Sequence, residues 1–397
     1  MSDALLSIDD AIDLVLSHVT PLESDEVSLA DAAGRVSAEQ ARSAVDLPPF
    51  PSSAMDGFAL RAADTPGTLP VVARVAAGRP APRSLAAGEA MAIATGGVVP
   101  DGADSVVPIE LVEERDGVVV VTGNVTQSDN VRARGGDLHA GDAVVEAGVR
   151  LGPAHVGALA AAGVTSVRCA NAPRVAVIVT GTELRAPGEP LEPGQIYDAN
   201  GFILAAQLRS AGALLDRLPP VADDESATRG AIERGLEADV LVTTGGVSVG
   251  VYDLVRAAEA ELGVEEIFWR VAMQPGKPVS FGVRGRTLVF GLPGNPVSSL
   301  VGFELFVRPA LLALQGLTEP RPVFRPGRLA TPTRRLAARD ALLRARTRVE
   351  GDAVLVEPLT GQQSHMIAHA ATADALVLVP QGDGELTAGS VVSYLSL

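Results

Sequence analysis

The spacing of apolar positions changes character several times along this chain, and each change marks a different kind of element. From about residue 8 to 45 apolar residues recur at helical spacing, with Ser7 to Asp10 reading as a capping box at the start. The helical pattern stops at DLPPFPSSAMDG, where Pro48, Pro49 and Pro51 forbid a continuing helix and mark a boundary. From about 55 to 140 the chain becomes short apolar runs, TLPVVARV, EAMAIAT, DSVVPI and DGVVVVTG, separated by Gly, Asp and Asn, which predicts strands and turns. Residues 151–168 return to an Ala/Gly-rich helical stretch followed by TSVRCA. We expect it to pack back onto the N-terminal helices, making the first domain discontinuous.

Between about 173 and 315 the short apolar strands RVAVIVT, DVLVTT and LVFGL alternate with helical segments such as DANGFILAAQLRSAG. Such alternation implies a mainly parallel sheet covered on both faces, a three-layer α/β/α domain. From about 320 the pattern is β again, with RVEGDAVLVEPL and DALVLVPQGDGELTAGSVVSYL reading as hairpins of a small barrel. The expected multidomain α/β and β architecture is an N-terminal helical/mixed domain of residues 1–47 plus 141–172 and a β-rich inserted domain of residues 48–140. An α/β domain of residues 173–318 and a C-terminal small β-barrel of residues 319–397 complete it.

Composition narrows the picture. The chain has 397 residues, 47% of them hydrophobic, enough for several cores. Asp plus Glu number 48 against 32 Lys plus Arg, and the net charge of −16 would repel a polyanion, so no nucleic-acid partner is expected. The single cysteine, Cys169, excludes an intramolecular disulfide framework or a cysteine zinc site and fits a reducing cytoplasm. The N-terminus carries acids where a signal peptide needs Lys or Arg, and the longest apolar run, SSLVGFELFVRPALLAL, is interrupted by Glu304, Arg308 and Pro309. No targeting segment and no membrane association are expected.

In an open parallel sheet ligands bind beyond the carboxyl ends of the strands. The loops there are Thr180-Gly181-Thr182-Glu183, Gly245-Gly246-Val247-Ser248-Val249-Gly250 and Pro293-Gly294-Asn295-Pro296-Val297-Ser298. A strand leading through GGVSVG into a helix exposes free N–H groups at the positive end of the helix dipole, an anion cradle, though the glycines also suit a merely tight turn. It has neither a P-loop ending nor a dinucleotide fingerprint. Asp253 can be a dipole partner, and Asp223-Asp224 a helix cap. Read together with Glu183, however, Asp223 and Asp253 form carboxylates converging at one sheet edge beside an anion cradle. Such a group calls for a hard cation, for which Mg²⁺ is the natural choice. PGKP places Lys277 on a stiffened loop near Arg270, either as an anion-neutralising cation or as an exposed turn residue. The N-terminal half adds Asp56, Thr95 and Asp137 in turn-like motifs, and the five histidines read as structural or surface residues.

In order along nearly the whole chain, PPFPSSAMDGFA, ATGGVVPDGADSVV, RARGGDL, VIVTGTEL, GQIYDAN, TTGGVSVGVYD, FWRVAMQPGKP, GLPGNPVSS and GQQSHM resemble the MoeA family, which includes the E domain of gephyrin and its plant counterpart. The resemblance implies an elongated four-domain homodimer whose α/β domain holds the pterin in a cleft completed by the other subunit's β-rich insert. It implies a molybdopterin molybdenumtransferase: adenylylated molybdopterin and molybdate enter, the phosphoanhydride is hydrolysed with Mg²⁺, and AMP and molybdenum cofactor leave. Other molybdenum-cofactor biosynthesis proteins are implied as partners.

Carried over by motif, Asp56, Thr95, Asp137, Glu183, Asp223, Asp253, Pro293, Pro296 and Ser364 fall on positions that matter in the family. Ser248, Ser298 and Lys277 would donate to phosphate or molybdate oxygens, with Gly245, Gly246, Gly250, Arg270 and Gln274 also on the substrate side. The chain departs from the family in having Gln274 where Lys is common, and Gly136 where an acid is frequent, which makes Asp137 the functional carboxylate of its loop. Rival readings are a nucleotide pyrophosphatase of related α/β fold and a non-catalytic pterin-binding scaffold.

Overall fold

The computed structural model describes residues 5–218, 220–245 and 254–397. Helix α1 (Ile8–Ser17) begins where Ser7 Oγ accepts from Asp10 N–H at 3.0 Å. The helix is much shorter than the apolar spacing suggested. After Pro21 the chain turns to strand β1 (Ser24–Ser28), and Gly34, at φ +83°, forces a turn that a continuing helix could not make. Alanine-rich spacing imitates a helix here, but the long-range pairing of β1 wins.

The inserted domain holds β2 (Gly57–Leu60), β3 (Gly67–Val75), β4 (Ala90–Ile93), β5 (Ser105–Pro108), β6 (Glu113–Arg115) and β7 (Val118–Val121), in the sheet order β5-β2-β4-β3-β7-β6. Returning from it, α2 (Pro153–Ala161) leads to β8 (Ser166–Ala170), which pairs antiparallel with β1 and buries Leu159, Val167 and Cys169 with Val27. The segment after the insert thus packs against the N-terminal segment, but the elements that meet are strands and not helices. Helix α1 stands apart from it: Ile8, Ala11, Ile12 and Val15 belong to the same core as Phe306 and Leu311 of the α/β domain, and Leu6 bridges to Val271.

The α/β domain contains β9 (Arg174–Val179), α3 (Asn200–Ser210), β10 (Leu214–Arg217), α4 (Glu225–Gly235), β11 (Val240–Thr244), α5 (Leu254–Glu261), β12 (Glu265–Trp269), β13 (Ser280–Arg284) and β14 (Thr287–Leu292). The strand order is β10-β9-β11-β14-β13-β12, parallel through β14 and antiparallel at the β13 and β12 edge. The helix that follows, Pro296–Leu314, is long and apolar enough to cross a membrane, but 78% of its apolar window is buried inside the protein, where it forms the centre of the core. A π-helical turn at Phe303–Val307 precedes Pro309, which has no N–H to give the helix.

The C-terminal barrel is built from β15 (Arg325–Leu329), β16 (Asp340–Glu350), β17 (Ala353–Pro358), β18 (Ala375–Val379) and β19 (Val391–Ser396), closed by pairing of β16 with β18. It is joined to the α/β domain through Met273–Gln274, which pairs parallel with Asp340–Ala341 at the start of β16.

The placement of α1 has a measurable consequence. Trp269, the single tryptophan, lies on β12 and reports unfolding of the α/β domain. Ile12→Ala is expected to shift the denaturant midpoint of the tryptophan signal by an amount equivalent to about 2–5 kcal/mol. Leu159→Ala, in the first domain's core, should leave that signal nearly unmoved.

Candidate functional site

The carboxyl ends of β9, β10, β11 and β14 open into a cleft of about 820 Å³. Thr180, Gly181 and Glu183 enter from the β9 loop, Asp223 from the β10 loop, Gly245 from β11 and Pro293–Pro296 from the β14 loop. Main-chain bonds fix this edge: Thr180 N–H donates to Thr244 O at 3.0 Å and Gly245 N–H to Leu292 O at 3.2 Å. Position 245 requires glycine, because φ is +93° and a Cβ would lie 2.6 Å from Thr180 Oγ1. Gly246, Ser248, Gly250 and Asp253 lie outside the described residues.

The adjacent acids after β10 divide their roles. Asp224 caps α4 by accepting from Ala227 N–H at 2.8 Å. Asp223 instead faces the cleft and accepts from Thr182 N–H at 3.3 Å. Glu183 is an exposed second carboxylate on the same wall, folded over Gly181. Among the described residues no group of three or more His, Cys, Asp or Glu side chains forms a metal site.

The cleft also contains a residue that strand-end reasoning did not single out. Asn200, 6% exposed, donates through Nδ2 to Thr244 Oγ1 at 2.8 Å and Gly294 O at 2.7 Å. Gly294 O can only accept, which fixes the amide orientation and leaves Oδ1 as a buried acceptor with no partner among the described residues. A buried carbonyl oxygen of this kind costs free energy until a ligand N–H or water donates to it. Tyr197 and Ile196 line the same wall, partly exposed, and Tyr197 Oη is held by Glu189 O at 2.9 Å.

A second pocket of about 470 Å³ shares Pro278, Pro293, Asn295 and His365 with the first. Gln274, Lys277 and Ser298 come to it from the α/β domain, and Arg339, Gln362, Gln363 and Ser364 from the barrel. The two sides are locked where Val297 N–H, in the first turn of the helix after β14, donates to Ser364 O at 3.0 Å. Neither Lys277 nor Arg339 makes an ion pair with any described residue. Two such cations with serine hydroxyls and glutamine amides form a donor set for a tetrahedral oxyanion.

The structure does not bring every expected residue here. Arg270 lines neither pocket; its guanidinium stacks on Trp269, 3.6 Å from the ring centroid, a better use of a desolvated cation face than projecting into solvent. His365, expected to be a structural or surface residue, lies at the junction of the two pockets. Arg339 and Gln362 were also missed. GQQSHM was recognisable as a motif, but nothing in the spacing of Arg339 points to the cleft.

Asp56, Thr95 and Asp137 are exposed on the inserted domain and line neither pocket. Asp56 Oδ1 accepts from Thr95 N–H at 2.7 Å and from its hydroxyl at 3.1 Å. The Asp137 loop is tied down at the base of the insert, where Asp137 N–H donates to Leu47 O at 2.9 Å. Asp46 fastens the same loop, accepting from Ala140 N–H at 2.9 Å and Arg134 Nε at 2.6 Å. The Ala140 amide, then Arg134, hold the Asp46 carboxyl below its ordinary value.

Comparison with known proteins covers almost the whole chain. Residues 6–163 match the MoeA N-terminal region (domain I and II), 176–313 the probable molybdopterin binding domain, and 326–397 the MoeA C-terminal region (domain IV). Molybdopterin molybdenumtransferase 2 of Mycobacterium tuberculosis is 37% identical over 94% of both chains. Molybdopterin molybdenumtransferase of Haemophilus influenzae is 33% identical over 98% of both. A molybdopterin biosynthesis MoeA protein from Pyrococcus superposes with a TM-score of 0.81 at 33% identity, covering 99% of each chain.

The Asp46 contacts set a pH-dependent expectation. Its pKa is depressed on folding, so its hold on the loop is complete above the ordinary value of 3.8 and is lost as pH falls through the depressed value. Asp46→Asn should therefore lower amide-exchange protection across residues 134–140 at neutral pH, with the difference from wild type closing only in strong acid.

Proposed function

This chain belongs to the MoeA family, and we propose that it is a molybdopterin molybdenumtransferase that converts adenylylated molybdopterin and molybdate to AMP and molybdenum cofactor. The observation that carries this reading is the continuity of the two pockets through Pro278, Pro293, Asn295 and His365. A carboxylate-edged cleft with a buried amide acceptor opens directly into a cation-bearing pocket, so an adenylylated dithiolene and an oxyanion can be held side by side.

In the first cleft the Asn200 Oδ1 acceptor takes an N–H of the heterocycle, and the sheet edge supports the phosphates. Glu183 and Asp223 are a donor set that Mg²⁺ fits, since this ion uses one or two carboxylates together with ligand phosphates. When bound by them and by Asp253, it supplies charge neutralisation at the phosphoanhydride. In the second pocket Lys277, Arg339, Ser298, Ser364 and Gln274 donate to molybdate oxygens. Water attacks the phosphoanhydride phosphorus, the bridging P–O bond breaks, and AMP departs. Anchoring molybdate beside the dithiolene makes the metal transfer effectively unimolecular.

The chain works as a homodimer in this reading. Asp56, Thr95 and Asp137 line no part of their own chain's cleft, and on the insert of a second copy they would complete it. Glycine at 136 leaves Asp137 as the acid of that loop. The enzyme resides in the cytoplasm, which suits a chain whose one cysteine is free and buried. The pyrophosphatase reading uses the α/β domain alone and leaves the second pocket, half built by the barrel, without a purpose.

Single-turnover release of AMP from adenylylated molybdopterin with Mg²⁺ tests the proposal. AMP release should depend on molybdate, and Asp223→Asn should slow it by about 10²–10³-fold. Arg339→Ala should raise the molybdate concentration for half-saturation by about tenfold or more, as loss of a charge-assisted hydrogen bond requires. Release indifferent to molybdate would favour the pyrophosphatase, and tight pterin binding without turnover would favour a scaffold.

A further inference from the structure

Arg344, on β16, is 1% exposed, and no carboxylate among the described residues pairs with it. Its guanidinium is spent on one loop. Nη1 donates to Met366 O at 2.5 Å, and Nη2 to Gly361 O at 2.5 Å and Gln363 O at 3.2 Å. Gln362 closes the arrangement reciprocally: its Oε1 accepts from Arg344 N–H at 3.1 Å, and its Nε2 donates to Arg344 O at 2.8 Å. Burial lowers the pKa of this guanidinium, yet arginine stays charged at neutral pH.

A buried charge with only neutral partners is an expensive way to fill a barrel, because apolar side chains of similar volume generally stabilise such a position as well or better. What the guanidinium does that an apolar group cannot is fix three carbonyls of one short loop. Peptide geometry gives that a consequence. In a trans peptide the N–H points opposite to the C=O. Turning Gly361 O and Gln363 O inward therefore turns Gln362 N–H and Ser364 N–H outward. Both residues line the second pocket, and neither amide has an acceptor among the described residues. Two outward N–H groups at alternate residues of one loop, beside serine and cationic side chains, give donors that an anion's oxygens can accept from.

We propose that Arg344 is a positioning residue for oxyanion binding, holding the 361–366 loop so that the Gln362 and Ser364 amides and the Ser364 hydroxyl face the pocket beside Lys277 and Arg339. The inference rests on the second pocket being the molybdate pocket. Arg344 does not touch the ligand; it acts through the loop. The pocket thereby has two main-chain donors beyond its side chains, which offsets the presence of Gln274 in place of a cation.

Arg344→Lys is the decisive variant, because it keeps the charge and most of the volume but cannot span three carbonyls with one ammonium. Arg344→Met removes the charge as well. In the full-length protein, molybdate and AMP binding are measured by calorimetry, and amide exchange is followed at residues 361–366. Arg344→Lys is expected to fold, to exchange faster at 361–366, and to bind molybdate about tenfold more weakly, equivalent to one lost hydrogen bond, while AMP affinity is unchanged. Unchanged molybdate affinity in a folded Arg344→Lys protein overturns the proposal. So does equal weakening of molybdate and AMP, which a merely structural role would produce. A wild-type protein that binds AMP but no molybdate defeats the oxyanion reading itself, and is recognised without any variant.

Discussion

Parallel pairing of β9, β11 and β14 makes every one of these strands leave the sheet at the same edge, while the crossover helices cover its two faces. Polar loops then have one place to gather, since the faces are buried under Leu204, Leu208, Ile232 and Val255. Thr180, Gly245 and Pro293 are brought together by that pairing alone, and the main-chain bonds from Thr180 N–H to Thr244 O and from Gly245 N–H to Leu292 O leave little freedom at the edge. The Asn200 oxygen, without a partner among the described residues, follows from the same constraint: the helix that begins at Asn200 starts against this edge, and its amide nitrogen is consumed in joining β11 to the β14 loop.

The second pocket depends on a different kind of joint. Neither the α/β domain nor the barrel has the full donor set; Lys277 and Ser298 belong to one, Arg339 and Ser364 to the other. The short pairing of Met273–Gln274 with Asp340–Ala341 and the Val297–Ser364 hydrogen bond hold the halves in register. A site divided in this way loses its geometry if the domains shift, which is a reason for the joint to be made of main-chain bonds, whose lengths are fixed, and not of long surface side chains.

What was legible in the sequence follows from the range of the interactions involved. The apolar strands of the α/β domain and the barrel hairpins announce themselves because their burial is written residue by residue. Glu183, Asp223 and Gly245 were legible because strand ends locate them. The stretch after Pro21 was misread because Ala-rich spacing cannot reveal that Ser24–Ser28 pairs with Ser166–Ala170 far along the chain. Arg270 was misread because its stacking on Trp269 and a role in anion binding make the same demand on sequence, a cation near a loop. Arg339, His365 and Arg344 come from the barrel, and no local pattern reports that the barrel closes over the α/β edge.

The net charge of −16 sharpens the question of how anionic substrates are held at all. At physiological ionic strength exposed charges farther away than about 8 Å are largely screened, so the local arrangement outweighs the total. In the first cleft, carboxylates stand where phosphates would need a bridging cation. In the second, Lys277 and Arg339 have no carboxylate partner among the described residues, and serine hydroxyls and glutamine amides stand beside them instead of more acids. The two pockets thus have opposite electrostatic character although they share a wall. That polarity favours a substrate bearing phosphates at one end and receiving an oxyanion at the other, and it is produced by domain placement, with the acids carried by the sheet edge and half of the cation pocket carried by the barrel.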